Sequence, residues 1–435
     1  MSADTPSLAV VGAGIGGLAA ALFLSRAGFP VTLIEKRIRV EEEGAGLQLS
    51  PNASRVLIDA GLGSALRRRA TAPERIRIRR ATDGRELATI PLGSYAMERY
   101  GAPYLVIHRA DLASLLLDAL RGEERIRLLY GREALEASAS LGADGVALAL
   151  RNERAANQLF QAAAVIAADG LWGRLAAAGD PPRFSRFAAW RALVPASSAP
   201  HFARANEVGL WLGPDAHLVH YPLRDGEAVN IVAVIKERIP QEGWSRQGEA
   251  GILHAAFARW NEAARDLIAC VPDWRGWSLF DREPLRRWSS GLTTLLGDAA
   301  HPMLPFLAQG AAMAIEDAAV LARELALLAN SNAFPINASS LTPVLAQARG
   351  ESGAASEDHA TRGETGAPSP IAAALRRYER ARRDRTARVQ REARRNAFAY
   401  HAAWPFTVAR DLILSGSSGE KLLARYDWLY AWRAR

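Results

Sequence analysis

Residues 7–17 read Ser7-Leu8-Ala9-Val10-Val11-Gly12-Ala13-Gly14-Ile15-Gly16-Gly17, and this stretch decides the fold. Its first half is a continuous apolar run of strand length, the pattern of a strand buried on both faces. Its second half is Gly-x-Gly-x-x-Gly at a strand-to-helix turn. There Gly12 permits the tight turn, Gly14 lets a pyrophosphate approach the backbone, and Gly17 lets helix and strand pack closely. Helical sequence runs to about Ala27, Gly28 and Pro30 stop it, and Val31 to Glu35 is a second strand. The unit is βαβ, with the phosphates expected at the positive helix N-terminus. Glu35 closes the second strand, where a carboxylate can accept hydrogen bonds from an adenosine ribose. The motif alone does not choose between FAD and NAD.

A second block bears on that choice. Leu295-Leu296-Gly297-Asp298-Ala299-Ala300-His301-Pro302 leads through Leu304-Pro305-Phe306-Leu307-Ala308-Gln309 to Gly310-Ala311-Ala312. It reads as a strand ending in an Asp able to bind ribityl or ribose hydroxyls, then a glycine-opened helix start. Reduced flavin carries negative charge near N1 and C2=O, which a helix N-terminus stabilises. A Gly-Asp-Ala turn fits any doubly wound fold, so these residues by themselves leave the choice open.

The rest of the chain is organised around these two blocks. Between about 180 and 285, Val208–Leu212, Ala216–Pro222 and Ala228–Ile235 read as strands separated by tight turns, one of them Asp225-Gly226. Two β-like runs from Glu74 to Leu92 flank Thr82-Asp83-Gly84 and read as a hairpin belonging to the same layer. Residues 331–370 have few large apolar side chains and read as a flexible insertion. A long basic helix follows from about Ile371 to Asn396.

The fold class expected is α/β: a Rossmann-like dinucleotide-binding domain (an FAD-binding domain if the motifs are taken together as a family resemblance) with an inserted antiparallel β-sheet substrate domain and a C-terminal helical region. The nucleotide domain is assigned 1–73, 101–178 and 289–330, and the substrate domain 74–100 and 179–288. The insertion is 331–370 and the C-terminal helices are 371–435.

With 435 residues, 49% hydrophobic and 23% charged, the composition is that of a globular protein of two or three domains. No stretch is apolar enough to span a bilayer, and the single cysteine, Cys270, forms neither an internal disulfide nor a thiolate metal site. No metal is expected, and a cytoplasmic setting is. The net charge is +8. Lysine occurs only at 36, 236 and 421, so arginine carries almost all the positive charge. The densest run, Arg376 to Arg395, reads as a solvated helix face rather than a nucleic-acid patch.

Taken together, these motifs resemble the class A flavoprotein aromatic hydroxylases. The resemblance rests on Gly12-x-Gly14-x-x-Gly17 with Ala21 and Glu35, on Gly44-Ala45-Gly46-Leu47-Gln48-Leu49-Ser50-Pro51-Asn52-Ala53, and on Arg109 before Ala110-Asp111-Leu112. Asp169-Gly170, Trp190-Arg191-Ala192-Leu193-Val194-Pro195, His217-Leu218-Val219-His220-Tyr221-Pro222, the block from Gly297 to Ala312, and Tyr378-Glu379 through Gln390 complete it.

The resemblance implies FAD as cofactor and NADH or NADPH as co-substrate, with Gly12, Ala13, Gly14, Gly17, Glu35, Lys36, Gly46, Leu47, Arg109, Asp169, Asp298, Gly310, Ala311 and Ala312 binding cofactor. The family's motif after Asp169-Gly170 is imperfect here, with Gly173 in place of the usual Ser and Ala176 in place of Arg. The implied cycle runs from reduced flavin and O2 through a C4a-hydroperoxide to a hydroxylated ring. The substrate expected is a small phenolic acid of the salicylate type.

On the strand Ala216–Pro222, His217, Val219 and Tyr221 share one face while Leu218 and His220 take the other. The resemblance makes His217 the base or acceptor for a phenolic proton and Tyr221 an orienting hydroxyl. It places Gln309 as a further polar contact and Pro305 near the reactive flavin edge. His301 is assigned a packing or hydrogen-bonding role. No nucleic-acid or membrane-spanning partner is expected, and the chain is read as a monomer or homodimer. The rival enzyme is a related flavin oxidoreductase or epoxidase acting on a non-aromatic substrate. A rival of another class is a basic nucleic-acid-binding protein on a vestigial nucleotide fold.

Overall fold

A computed structural model describes residues 7–40, 45–139, 145–176, 181–240, 246–247, 250–329 and 369–434. The expected insertion 331–370 lies outside the described residues except for Ser369 and Pro370, as does Gly44.

The apolar run Leu8–Val11 sits at the centre of a six-stranded sheet, parallel to Val31–Ile34 on one side and to Ala164–Ala167 on the other. All twelve residues are buried, as continuous apolar strands covered on both faces must be. Ile126–Leu129 extends the sheet beyond Val31–Ile34, and Thr293–Leu295 extends it beyond Ala164–Ala167. Helix Ile15–Arg26 buries ten of its twelve residues beneath helices Arg109–Arg121 and Gly310–Ala329. Its alanines and glycines allow that close approach from both sides. Arg132–Ala139, Val146–Asn152 and Asn157–Ala162 form a separate three-stranded antiparallel sheet, which the sequence did not distinguish from the nucleotide domain.

The second layer is an eight-stranded sheet. It contains Arg183–Pro195, Glu207–Gly213, Ala216–Leu223, Ala228–Lys236 and Arg275–Asp281, and the hairpin Arg75–Arg80 with Glu86–Pro91 joins its edge. The sheet is mixed rather than wholly antiparallel, because Glu207–Gly213 pairs parallel with Arg75–Arg80. The chain leaves the hairpin and returns to this sheet only after a long excursion, so no tight turn dictates the direction in which Glu207–Gly213 pairs with it.

One face of the sheet is covered by helices 250–257 and Glu262–Ala269, around Trp190, Trp211, Trp260 and Trp274. Each such ring removes about 150–250 Å² from water, on the order of 4–6 kcal/mol at about 25 cal/mol per Å². The other, inner face carries Leu210, Leu212, Val219, Val234 and Leu279 and packs on Met303, Leu304, Phe306 and Met313. The inner face therefore looks toward the start of helix Gly310–Ala329.

Helix Pro370–Tyr400 closes the gap between the layers, packing against Gly310–Ala329 and the Pro305–Leu307 turn. Its basic run is not one solvated face. Arg382 is fully buried and Arg385 nearly so. They meet Glu316 and Asp317, adjacent buried acids that need buried cations. Three short helices, Phe406–Ser415, Gly419–Ala424 and Asp427–Tyr430, finish the chain and bring Tyr430 against Tyr100 and Tyr104. Among the described residues no helix is long and apolar enough to cross a membrane.

Candidate active site

The glycine turn has the geometry its spacing demands. Gly12 has φ +101°, and a Cβ there would lie 2.4 Å from the Ala168 carbonyl oxygen. A Cβ on Gly17 would fall 1.8 Å from the Gly12 carbonyl oxygen. Gly14, by contrast, faces open space, and as N-cap of helix Ile15–Arg26 it provides no side-chain cap. The first helical amides are thus left for an anion. Glu35 is held ready beside them: its Oε2 accepts from the Ala13 amide at 2.7 Å and its Oε1 from the Arg37 amide at 2.9 Å. Lys36, next in the chain, is exposed. Uncapped amides, a bare glycine and a carboxylate fixed by backbone donors fit the pyrophosphate and ribose of a dinucleotide.

Asp169 follows the neighbouring strand. Its Oδ2 accepts from the Leu175 amide at 3.1 Å, while its Oδ1 is buried with no partner. Burial raises this carboxyl above the ordinary range. Gly173 is required by that placement, because a Cβ there would lie 2.1 Å from the carboxylate carbon. The departure from the family's usual Ser is therefore coupled to how Asp169 is folded over.

Asp298 stands on the turn Gly297–Ala299, exposed between two buried neighbours. The exposure is to a cleft rather than to bulk water: desolvation by the surrounding protein raises its carboxyl, and His301 and Arg109 partly offset the rise. Arg109 opens helix Arg109–Arg121, and its amide donates to the Ala45 carbonyl. Pro305 begins the turn Pro305–Leu307, and Ala308 exits it in the left-handed region at φ +51°. Helix Gly310–Ala329 then begins, with Gly310 facing open space and Ala312 buried. The Gly297–Ala299 turn packs against this helix, which puts Asp298 near the helix start, an arrangement that fits a flavin's ribityl chain and pyrimidine.

The two layers meet at Gly46, in the strand Gly46–Leu49. Its amide donates to Asn230 Oδ1 at 2.7 Å, and a Cβ there would come within 2.7 Å of the Tyr221 ring. Leu47, the next residue, is half-buried. Gly46 thus sets how near the nucleotide layer comes to the substrate-side sheet.

The inner face brings His217 and Tyr221 to opposite ends of one strand, opposite Leu212 and Asn230 respectively. His217 packs edge-on against Phe306, with ring centroids 5.4 Å apart. Burial and the neighbouring His401 hold its pKa well below the usual histidine value. Tyr221 is buried, which raises its hydroxyl pKa. His220 points the other way, under Phe202 and against Gly209. Burial, with Arg79 nearby, pushes it down to about 3.

Gln309 has its side chain engaged within the protein. Its amide nitrogen donates to Ser50 Oγ at 2.8 Å, and its oxygen accepts from Asn52 at 3.2 Å. Asn52 also donates to Glu316, whose other oxygen is held by Arg382 and Arg385 at 2.6 and 2.7 Å. Asp317 accepts from Arg382 at 2.7 Å and meets His301 at 2.5 Å. Burial acts to raise Asp317, but His301 and Arg382 hold it down to about 2. This buried network anchors the helix start from behind, and His301 is one of its members.

Several residues absent from the sequence-based site stand on the same face. Arg191 stacks over Trp277, with its guanidinium carbon 4.2 Å from the ring centroid. Its Nε is buried without a partner, and among the described residues no carboxylate pairs with it. Burial pushes the guanidinium down to about 10. Tyr104 donates to Gln48, and His401 meets His217. Arg191 and Gln48 were in the motifs quoted for the family, but nothing in the sequence marked either as unpaired or inward-facing.

Comparison with known proteins bears on this geometry. A family model described as an FAD binding domain matches residues 4–335. The chain is 34% identical to a 3-hydroxybenzoate 6-hydroxylase of Polaromonas naphthalenivorans (strain CJ2), over 99% of this chain and 96% of that one. It is 38% identical to the 3-amino-4-hydroxybenzoate 2-monooxygenase PtnB3 of Streptomyces platensis, over 100% of this chain and 98% of that one. Among solved structures, a salicylate hydroxylase substrate complex superposes with a TM-score of 0.75 at 25% identity, covering 99% of this chain and 96% of the other. Klebsiella pneumoniae HpxO complexed with FAD and uric acid shares the fold at TM-score 0.75 and 23% identity, covering 96% and 95%.

Proposed function

The chain belongs to the FAD binding domain family and is an FAD-dependent monooxygenase; we propose that it hydroxylates a small aromatic acid bearing a ring hydroxyl, with NADH or NADPH as reductant. The observation that carries the acid is Arg191. A partly buried guanidinium whose Nε is buried without a partner, and which lacks a carboxylate, is costly, and a bound anion relieves that cost. Its planar fork suits a carboxylate, and Trp277 fixes the plane of the fork.

Bound FAD supplies the redox chemistry, accepting electrons from the nicotinamide and activating O2. The chain's residues do the rest. Gly12, Ala13, Gly14, Gly17, Glu35 and Lys36 hold the adenosine half. Arg109, Asp169 and Asp298 line the path toward the ring system. Gly46 and Leu47, with Gly310, Ala311 and Ala312, present backbone to it. Pro305 and Phe306 bring the turn against the inner face of the sheet and exclude water. Arg191 holds the substrate carboxylate, Tyr221 orients the ring, and His217 Nε2 accepts the proton of the ring hydroxyl. That last step raises electron density on the ring, which an electrophilic oxygen requires. Gln309 acts from behind, fixing the helix start through Ser50 and Asn52. A cytoplasmic location suits dependence on a nicotinamide reductant.

The test is a panel of hydroxybenzoates, aminohydroxybenzoates and unsubstituted aromatics, scored for stimulated NADH and NADPH oxidation with product identification. Hydroxybenzoates should stimulate oxidation and yield a ring-hydroxylated product. Stimulation by non-aromatic polyenes alone would overturn the assignment.

A further inference from the structure

Two histidines, 184 residues apart in sequence, form a chain whose proton positions can be deduced. His401 Nδ1 lies 2.7 Å from the Ala397 carbonyl oxygen. That oxygen can only accept, so Nδ1 carries the hydrogen and a neutral His401 presents Nε2 as a lone pair. His217 Nδ1 lies 2.8 Å from this Nε2 and must therefore be the donor. In this tautomer the His217 Nε2 is itself a lone pair, and among the described residues it has no hydrogen-bond partner.

The surroundings support both the orientation and the charge state. Phe187 stacks on His401 with centroids 4.2 Å apart and planes 24° apart, and Phe306 stands edge-on to both imidazoles. Neither ring can turn without disturbing that packing. Burial pushes His401 down to about 4 and His217 well below its usual value, so both are neutral near pH 7.

Resting on the reading of His217 as the group that meets the substrate hydroxyl, we propose that His401 is the positioning residue that locks His217 as its Nδ1–H tautomer, leaving Nε2 as the acceptor of the phenolic proton. When the proton is taken, the substrate O–H bond breaks, its electron pair stays on the ring oxygen, and Nε2 gains the hydrogen. The proton on His217 Nδ1 already points at His401 Nε2 and can shift onto it. Charge that reaches His401 sits at the C-cap of helix Pro370–Tyr400, where the helix dipole favours a cation. His220 takes no part, because it faces the opposite side of the sheet.

The test pairs two variants with one direct observation. His401→Gln keeps an acceptor for His217 Nδ1–H and a donor for Ala397, whereas His401→Leu keeps neither. Holoenzyme is titrated with 3-hydroxybenzoate without reductant, and ionisation of the bound phenol is read from its near-ultraviolet difference spectrum. Product formed per NADH is measured separately. Phenolate formation and coupling should fall at least about tenfold in His401→Leu and largely persist in His401→Gln, the loss staying below the roughly 10²–10⁴-fold that a general base itself contributes. Nitrogen-15 histidine spectra of the wild type, needing no variant to fold, should show both residues protonated at Nδ1.

A wild-type spectrum with His217 protonated at Nε2 would overturn the proposal. So would equal losses in both His401 variants, or unchanged ionisation in His401→Leu while His217→Leu loses it. Unchanged ionisation in His217→Leu would instead overturn the underlying assignment of the base.

Discussion

Gly46 and Tyr221 are in contact where the nucleotide layer meets the substrate-side sheet, and the approach is close enough that a single Cβ on Gly46 would lie 2.7 Å from both the Tyr221 ring and its hydroxyl. Asn230, opposite Tyr221 in the sheet, accepts the Gly46 amide on its Oδ1 at 2.7 Å and closes the junction. Replacing Gly46 with Ala should push Tyr221 and Asn230 back. The expected cost is about 1–3 kcal/mol of stability, the usual range for overpacking. Product per NADH should fall while the protein still folds, which thermal melting and a coupling assay measure together. A variant with wild-type coupling would show that this contact does not set the substrate's position.

Asp298 is the exposed acid of an otherwise buried turn that packs against helix Gly310–Ala329. Asp298→Ala should weaken FAD binding by roughly 10- to 100-fold, the loss of about 1.5–3 kcal/mol expected for a charged hydrogen bond. The fold should be retained. Flavin absorbance after gel filtration at micromolar protein reads the outcome, and full occupancy would remove Asp298 from the cofactor site.

Arg191 gives opposite signs for stability and for function. Removing a partly buried cation that has no carboxylate partner from the ligand-free protein should leave the melting temperature of Arg191→Met unchanged or raised. The same change should raise KM for carboxylate substrates on the order of 30-fold or more, because an ion pair loses one partner. KM for a phenol lacking the carboxylate should move little. Equal changes for acid and neutral substrates would refute the anion-binding role.

Buried histidines make acid the destabilising direction. Burial depresses His220 to about 3 and His401 to about 4, and His217 also lies below its ordinary value. The unfolded chain, titrating near the usual histidine value of about 6.5, binds protons before the folded one does. The stability these rings contribute is therefore fully present above about pH 6.5 and is lost as pH falls toward 4 and then 3. Denaturant midpoints measured from pH 7 to pH 4 should decline, and His220→Gln should flatten the slope by removing one titrating ring. An unchanged slope would mean that His220 is hydrated in the native protein.

The parts of this molecule that were legible in the sequence are those where backbone geometry demands a residue type. Gly12 and Gly17 have no room for a Cβ, and Leu8–Val11 is apolar throughout because both faces are covered. Alternation along Ala216–Leu223 likewise separates His217 and Tyr221 from His220. Partnership over long distance was not legible. His401 is visible as a partner of His217 only once helix Pro370–Tyr400 has folded back. Arg382 and Arg385 look like other members of a basic run until Glu316 and Asp317 are placed beneath them. The parallel pairing of Arg75–Arg80 with Glu207–Gly213 depends on the path of the intervening chain, which no local pattern encodes.

The most direct measurement is the origin of the oxygen in the product. Holoenzyme, NADH and a hydroxybenzoate that stimulates its oxidation are incubated under 18O2 in ordinary water, and the aromatic product is weighed by mass spectrometry. The expected result is one 18O atom per hydroxylated ring, with none in protein depleted of FAD. Product oxygen drawn from water would contradict assignment of this chain as an FAD-dependent aromatic hydroxylase. So would NADH oxidation that yields only hydrogen peroxide with every aromatic acid in the panel.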